Sequence, residues 1–123
     1  MSNFRYYNRN PNNKILKDCV CKAISTATNL NYDAVNNLLD LTARDNDCEK
    51  LCVCCYDYLL TDTLCYRRID CDYDYTVSEV AKMYPHNNLI IRIEGHLTSS
   101  IRGVVSDIWD CTDEYVDCYW IVI

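Results

Sequence analysis

Glycine, proline and histidine are scarce in this sequence of 123 residues, where each occurs only twice. The two glycines and two prolines leave little material for flexible linkers, and no segment is repeated or of low complexity. A chain of this length holds one hydrophobic core but not two independent ones. We therefore expect a single domain spanning residues 1–123.

Long hydrophobic runs are also missing. No apolar stretch approaches the roughly 20 residues that a membrane-spanning helix requires, and residues 1–10 lack the apolar core of a secretory signal peptide. These two absences predict a cytoplasmic protein that has no membrane partner.

Basic residues are few, since 12 Lys and Arg face 18 Asp and Glu and give a formal net charge of −6. Nucleic-acid binding requires clustered basic side chains that neutralise phosphates. The pair Arg67-Arg68 is the only local basic feature and is too short to form such a surface. Nucleic acid is therefore excluded as an expected partner.

Cysteine, by contrast, is abundant. Without a secretory signal, free thiols are favoured over a disulfide framework. Cys48, Cys52 and Cys55 share one helical stripe and could bind zinc, with Cys65 or Cys71 completing the site, but only one C-x-x-C pair is present. Packing is the favoured interpretation, so we expect no metal and no cofactor. The ten cysteines are at positions 19, 21, 48, 52, 54, 55, 65, 71, 111 and 118.

Hydrophobic periodicity changes along the chain from helical to strand-like spacing. A capping box formed by Thr76 and Glu79 marks the start of the last helix. This order predicts an α+β fold in which N-terminal helices pack on a C-terminal antiparallel sheet. The predicted helices cover 19–28, 32–43, 47–60 and 77–84, and the predicted strands cover 89–93, 96–101, 104–109 and 119–123, with a further strand and loop within 64–75.

Cys19 occupies the first turn of the first predicted helix, after Asp18 as the expected N-cap. Unpaired amides and the helix dipole at this end favour a thiolate, which is the nucleophilic form of cysteine. Cys21 points away around the helix and is expected in the core. Cys19 is therefore the candidate nucleophile.

A nucleophilic cysteine needs a base, and histidine is the usual one. His86 lies in a polar loop, where a solvent-exposed role is expected. His96 follows Gly95 at the start of a predicted strand that is half buried. His96 is therefore the candidate general base.

Hairpin geometry indicates which carboxylate orients His96. If Arg102-Gly103 forms a two-residue loop, Thr98 pairs with Asp107, and Asp107 then lies diagonal to His96 on the same face. Trp109 would face the imidazole and shield this contact from water. A change of one residue in the loop would select Asp110 instead, so Asp110 remains the alternative.

Acyl transfer also requires hydrogen-bond donors for the oxyanion. The backbone N–H of Cys19 is one candidate, and an upstream amide side chain is the other. Asn10, Asn12 and Asn13 all lie within nine residues of Cys19, and the sequence does not choose among them.

Four short segments carry a resemblance to a known family: Asn10-Pro11, D-C-V-C-K-A-I at 18–24, G-H-L at 95–97 and D-I-W-D-C at 107–111. In order and spacing they resemble small phage and prophage proteins of papain-like fold, which are similar to bacteriocin-processing cysteine peptidases. The likeness covers about residues 5–120. It implies a papain-like domain with Cys19 as nucleophile, His96 as base and Asp107 as orienting carboxylate. Lys22 replaces an arginine of the pattern, and Ile108 replaces a threonine.

Taken together, the residues and the resemblance predict a thiol hydrolase, either a cysteine peptidase or an isopeptidase or amidase, acting on a protein or peptide. The alternative is a papain-like scaffold without catalysis, serving as a phage virion component or binding a host factor. If the chain is phage-encoded, it would act in the host cytoplasm or in the virion. The sequence makes no prediction of oligomeric state.

Overall fold

The computed structural model describes residues 3–12 and 18–123 and has an α+β fold built from helices and one six-stranded sheet. The helices are α1 (Cys19–Thr28), α2 (Tyr32–Asp45), α3 (Val53–Tyr58) and α4 (Val77–Met83), and a π-helical turn follows α3 at Leu59–Thr63. The strands are β1 (Phe4–Tyr6), β2 (Arg67–Asp70), β3 (Asn88–Ile93), β4 (His96–Ile101), β5 (Val104–Asp107) and β6 (Val116–Val122).

The strands of the sheet are ordered β1-β5-β4-β3-β6-β2. All neighbouring pairs are antiparallel except β1 and β5, which run parallel along one edge. The antiparallel sheet predicted for the C-terminal half is therefore present. Two edge strands extend it: β1, for which no strand was predicted, and β2, which lies within the strand and loop predicted at 64–75.

Two tight hairpins fix the positions of β4 and its neighbours. Glu94-Gly95 joins β3 to β4, so that Ile93 pairs with His96, and Gly95 has a positive φ of 68°. Arg102 and Gly103 join β4 to β5 with φ values of 48° and 84°, and Ile101 pairs with Val104. Positive φ at both loop residues is the geometry of a two-residue hairpin turn. The predicted hairpin register is thus confirmed.

Helices cover both faces of the sheet. On one face α1, α2 and α3 pack against alternate strand residues, including Ile90, Leu97 and the fully buried Trp120. On the other face α4 packs against Leu89 and Ile91. The period of two along β3 therefore serves both cores, because successive side chains point to opposite faces.

Several predicted bounds differ from the structure. The helix expected at 47–60 begins only at Val53, since 46–52 form turns, and it ends in the π-helical turn. The strand expected at 104–109 ends at Asp107, and the last strand begins at Val116. The capping box is present, with Thr76 accepting from the Glu79 amide and Glu79 from the Thr76 amide. Among the described residues, no helix combines the length and apolar character that a membrane crossing requires.

Candidate active site

Cys19 is the first residue of α1, which lies against β4 and β3. The helix forms because Val20, Ala23, Ile24 and Ala27 place one apolar stripe in the core. Asp18 occupies the N-cap position, but its carboxylate makes no capping hydrogen bond. Asp18 is therefore the N-cap residue that the sequence predicts, but its side-chain oxygens bond other groups and do not cap the helix.

Those groups form a polar network beneath the start of α1. The buried ammonium of Lys22 lies 2.9 Å from Asp18 Oδ1, one helical turn away. Tyr32 donates its hydroxyl proton to Asp18 Oδ2 at 2.5 Å, and the Asn10 side-chain amide donates to the same oxygen at 3.0 Å. Burial raises the pKa of Asp18, but these donors outweigh it and hold the pKa below its ordinary value. The network ties the N-terminal segment, α1 and α2 together next to Cys19.

His96 begins β4, and its imidazole is held by Asp107 at the end of β5. His96 Nε2 lies 2.7 Å from Asp107 Oδ2, and the backbone amide of Ile108 donates to Asp107 Oδ1 at 2.7 Å. Both side chains are largely buried, with exposed fractions of 15% for His96 and 7% for Asp107. Because Nε2 is engaged by Asp107, Nδ1 is the ring nitrogen left to face another group.

Cys19 lines the same cleft as His96, which places its thiol on the same side of the molecule as the imidazole. Burial alone raises the pKa of the Cys19 thiol. The hydrogen bond with His96, a backbone hydrogen bond from Leu97 and the charge of the imidazolium together outweigh burial and lower that pKa. The thiolate is thereby favoured closer to neutral pH than for an ordinary cysteine.

The imidazole shifts in the opposite sense. Burial lowers the pKa of His96, but the hydrogen bonds to Asp107 and Cys19 raise it to about 9. The pKa of Asp107 is held below its ordinary value despite burial, chiefly by its hydrogen bond with His96. A lowered thiol pKa beside a raised imidazole pKa favours a thiolate–imidazolium pair near neutral pH.

Trp109 and Cys111 flank the histidine. The rings of Trp109 and His96 meet edge to face with centroids 5.0 Å apart, so Trp109 covers part of the imidazole as the hairpin register predicted. Cys111 is buried, and its sulfur lies within 4.8 Å of the ligand atoms of His96 and Asp107. Burial raises the pKa of Cys111 to about 12.

A cleft of about 330 Å³ opens on Cys19 and His96. The side chain of Arg92 and the ring of Tyr56 bring polar groups to its wall, and the rest is mainly apolar or backbone. This combination is typical of a small-molecule or peptide site. The lining residues are Cys19, Val20, Leu51, Cys52, Val53, Tyr56, Arg92, Ile93, Gly95, His96 and Leu97.

The alternative candidates lie elsewhere. Asp107, and not Asp110, bonds the imidazole, because the confirmed hairpin register directs the Asp107 side chain toward His96. Asp110 is exposed and accepts hydrogen bonds from the amide and the hydroxyl of Thr112. Asn10 is buried, and its side chain bonds Asp18 and the Asn12 amide; it does not line the cleft. Asn13 lies outside the described residues. His86 is exposed, as expected.

Sequence reasoning missed several residues of this region. Arg92 and Tyr56 line the cleft, and Lys22 and Tyr32 hold Asp18. The spacing of Asp18 and Lys22, four residues apart on one helix, was an available signal for the ion pair. Arg92 and Tyr56 gave no comparable signal, because tertiary packing alone brings them to Cys19.

Comparisons of the chain with protein-family models, with curated proteins and with solved structures find no match.

Proposed function

We propose that the protein is a thiol hydrolase of papain-like architecture, acting on an amide, thioester or isopeptide carbonyl of a protein or peptide. One observation carries this proposal: Cys19 and His96 line the same cleft, and Asp107 holds Nε2 of that imidazole at 2.7 Å. Nucleophile, base and orienting carboxylate in this order are the arrangement that activates a cysteine.

The reaction would proceed through an acyl-enzyme. The Cys19 thiolate attacks the carbonyl carbon, and the imidazolium of His96 gives its Nδ1 proton to the leaving amine or thiol as the bond to carbon breaks. His96 then removes a proton from water, whose oxygen attacks the thioester, and the proton passes to the departing Cys19 sulfur. Asp107 accepts from Nε2–H throughout, which fixes the ring and stabilises its charge.

One hydrogen-bond donor for the oxyanion follows from the position of Cys19. The backbone N–H of Cys19 lies in the first turn of α1, where amides have no carbonyl partner within the helix. Asn10 is committed to Asp18 and is not a suitable second donor. Tyr56 and Arg92 line the same cleft and are the described polar side chains nearest this role.

The proposal is tested with p-nitrophenyl acetate, an activated ester that acylates a reactive thiol without requiring a known substrate. We expect continued release of nitrophenolate and, after an acid quench, an acetyl group mapped to Cys19. Cys19→Ala should abolish both, whereas His96→Asn should slow deacylation and let the acetyl-enzyme accumulate. Cys65→Ala is the matched control, because Cys65 is exposed and does not line the cleft.

Two results would contradict the proposal. One is acetylation spread evenly over the exposed cysteines, and the other is turnover that persists in folded Cys19→Ala. Acylation of Cys19 without turnover would favour the alternative, a papain-like scaffold that binds a partner without catalysing a reaction.

A further inference from the structure

Three sulfur atoms meet beside the candidate active site. Those of Cys48, Cys52 and Cys54, the thiol cluster, all lie within 4.8 Å of one another. Cys48 lies in the turn after α2, Cys52 immediately precedes α3, and Cys54 lies in its first turn. Cys54 is exposed, and Cys48 and Cys52 are partly exposed, so the cluster is open to solvent.

The geometry fits a thiophilic cation. Zinc binds thiolate sulfur at about 2.3 Å in a tetrahedral arrangement, which separates neighbouring sulfurs by roughly 3.8 Å. The three sulfurs of the thiol cluster lie within 4.8 Å of one another, which is close to this spacing, and the Cys52 and Cys54 sulfurs, 2.8 Å apart, must separate for zinc to bind. Soft thiolate ligands select zinc over magnesium or calcium.

Cys55 is not part of this group. Its thiol is fully buried and points to the Leu39 carbonyl oxygen at 3.6 Å. The fourth coordination position would therefore lie on the solvent side, where water or an added thiol can fill it.

We propose that Cys48, Cys52 and Cys54 form a Zn²⁺ site on the rim of the cleft. Cys52 lines the cleft with its neighbours Leu51 and Val53, so bound zinc would fix this wall, which consists of turns before Val53. The zinc site does not depend on the proposed hydrolase activity, since no ligand belongs to the group around His96.

Equilibrium dialysis of the full reduced chain against Zn²⁺ tests the proposal, with Co²⁺ as a spectroscopic substitute that reports thiolate ligands by charge-transfer absorption. We expect about one bound ion per chain, and a loss of affinity of about tenfold or more in Cys54→Ser and in Cys48→Ser. Cys65→Ser, which removes an exposed thiol outside the cluster, should bind as the unmodified chain does.

Alkylation with iodoacetamide gives a second readout. Zn²⁺ should protect Cys48, Cys52 and Cys54 from modification while Cys65 remains reactive. Failure of zinc binding, or binding that survives both Cys54→Ser and Cys48→Ser, would overturn the proposal. Neither result bears on acylation of Cys19, so failure of the zinc site and failure of the hydrolase proposal remain distinguishable.

Discussion

Cys19 and one member of the thiol cluster, Cys52, line the same cleft, yet their surroundings differ. Cys19 begins a ten-residue helix and shares the cleft with a largely buried imidazole, which a buried carboxylate holds. The thiol cluster lies in turns and a six-residue helix, and its sulfurs have mainly one another as partners. Surroundings, and not residue type, therefore favour an activated nucleophile in one place and a metal ligand set in the other.

The largest loss of stability is expected when the ion pair between Asp18 and Lys22, next to Cys19, is broken. Asp18→Asn would leave the buried Lys22 ammonium without a countercharge, and we expect a loss of about 3 kcal/mol in unfolding free energy. This loss is at the low end of the range for breaking buried ion pairs, because the Asp18 side chain retains some contact with solvent. Urea unfolding measures the change.

Asp40→Asn is the matched control near the thiol cluster. Asp40 pairs with Lys50 at the same 2.9 Å, but both side chains are substantially exposed, so a change below about 1 kcal/mol is expected. Equal losses in the two variants would remove burial as the distinguishing feature of the Cys19 region.

A smaller loss is expected from Asp107→Asn. A hydrogen bond to a charged group contributes about 2 kcal/mol, and the variant keeps the shape of the side chain. The pKa of His96 in the folded protein, about 9, exceeds the ordinary histidine pKa of about 6.5. The stabilisation by the Asp107–imidazolium contact is therefore fully present below about pH 6.5 and is lost as the pH rises through about 9.

The stability difference between the unmodified chain and Asp107→Asn should therefore be large near neutral pH and shrink above about pH 9. Urea unfolding at several pH values checks this, with Asp110→Asn as the control because Asp110 is exposed and bonds only Thr112 among the described residues. A difference that grows with pH would contradict the assigned protonation of His96.

The smallest effect is expected from Cys54→Ser in the absence of zinc. Cys54 is exposed, and surface substitutions usually change stability by less than about 0.5 kcal/mol. Cys19 should also keep its reactivity, because Cys54 does not line the cleft. A fall in the rate of Cys19 acylation in Cys54→Ser would mean that the two regions are coupled even without the metal.

The sequence predicted the His96 site better than the thiol cluster for a physical reason. Arg102-Gly103 permits a two-residue hairpin, and that local turn fixes the register that brings Asp107 to His96. The predicted helix at 47–60 instead put Cys48, Cys52 and Cys55 on one stripe. Because α3 begins only at Val53, Cys55 turns to the core and Cys54 takes its place.

Other features had no local signal at all. Strand β1 has three residues and depends on pairing with β5, so no periodicity could indicate it. Asp18 is the N-cap residue that the sequence predicts, but no local pattern indicated that its side chain would bond Asn10 and Tyr32 instead of the helix amides. Local chemistry could be predicted from the sequence, whereas partners chosen by tertiary packing could not.

The pH dependence of Cys19 alkylation, followed by mass mapping with limiting iodoacetamide, tests the central claim most directly. Cys52 also has a lowered pKa, so adducts are counted site by site and the Cys19 adduct is followed on its own. Cys19 should react with iodoacetamide at a pH below the range of ordinary thiols. His96→Asn should raise the pKa of the Cys19 thiol toward that range, and each unit of increase should slow Cys19 alkylation at mildly acidic pH by about tenfold. Identical Cys19 profiles in the two proteins would contradict the account.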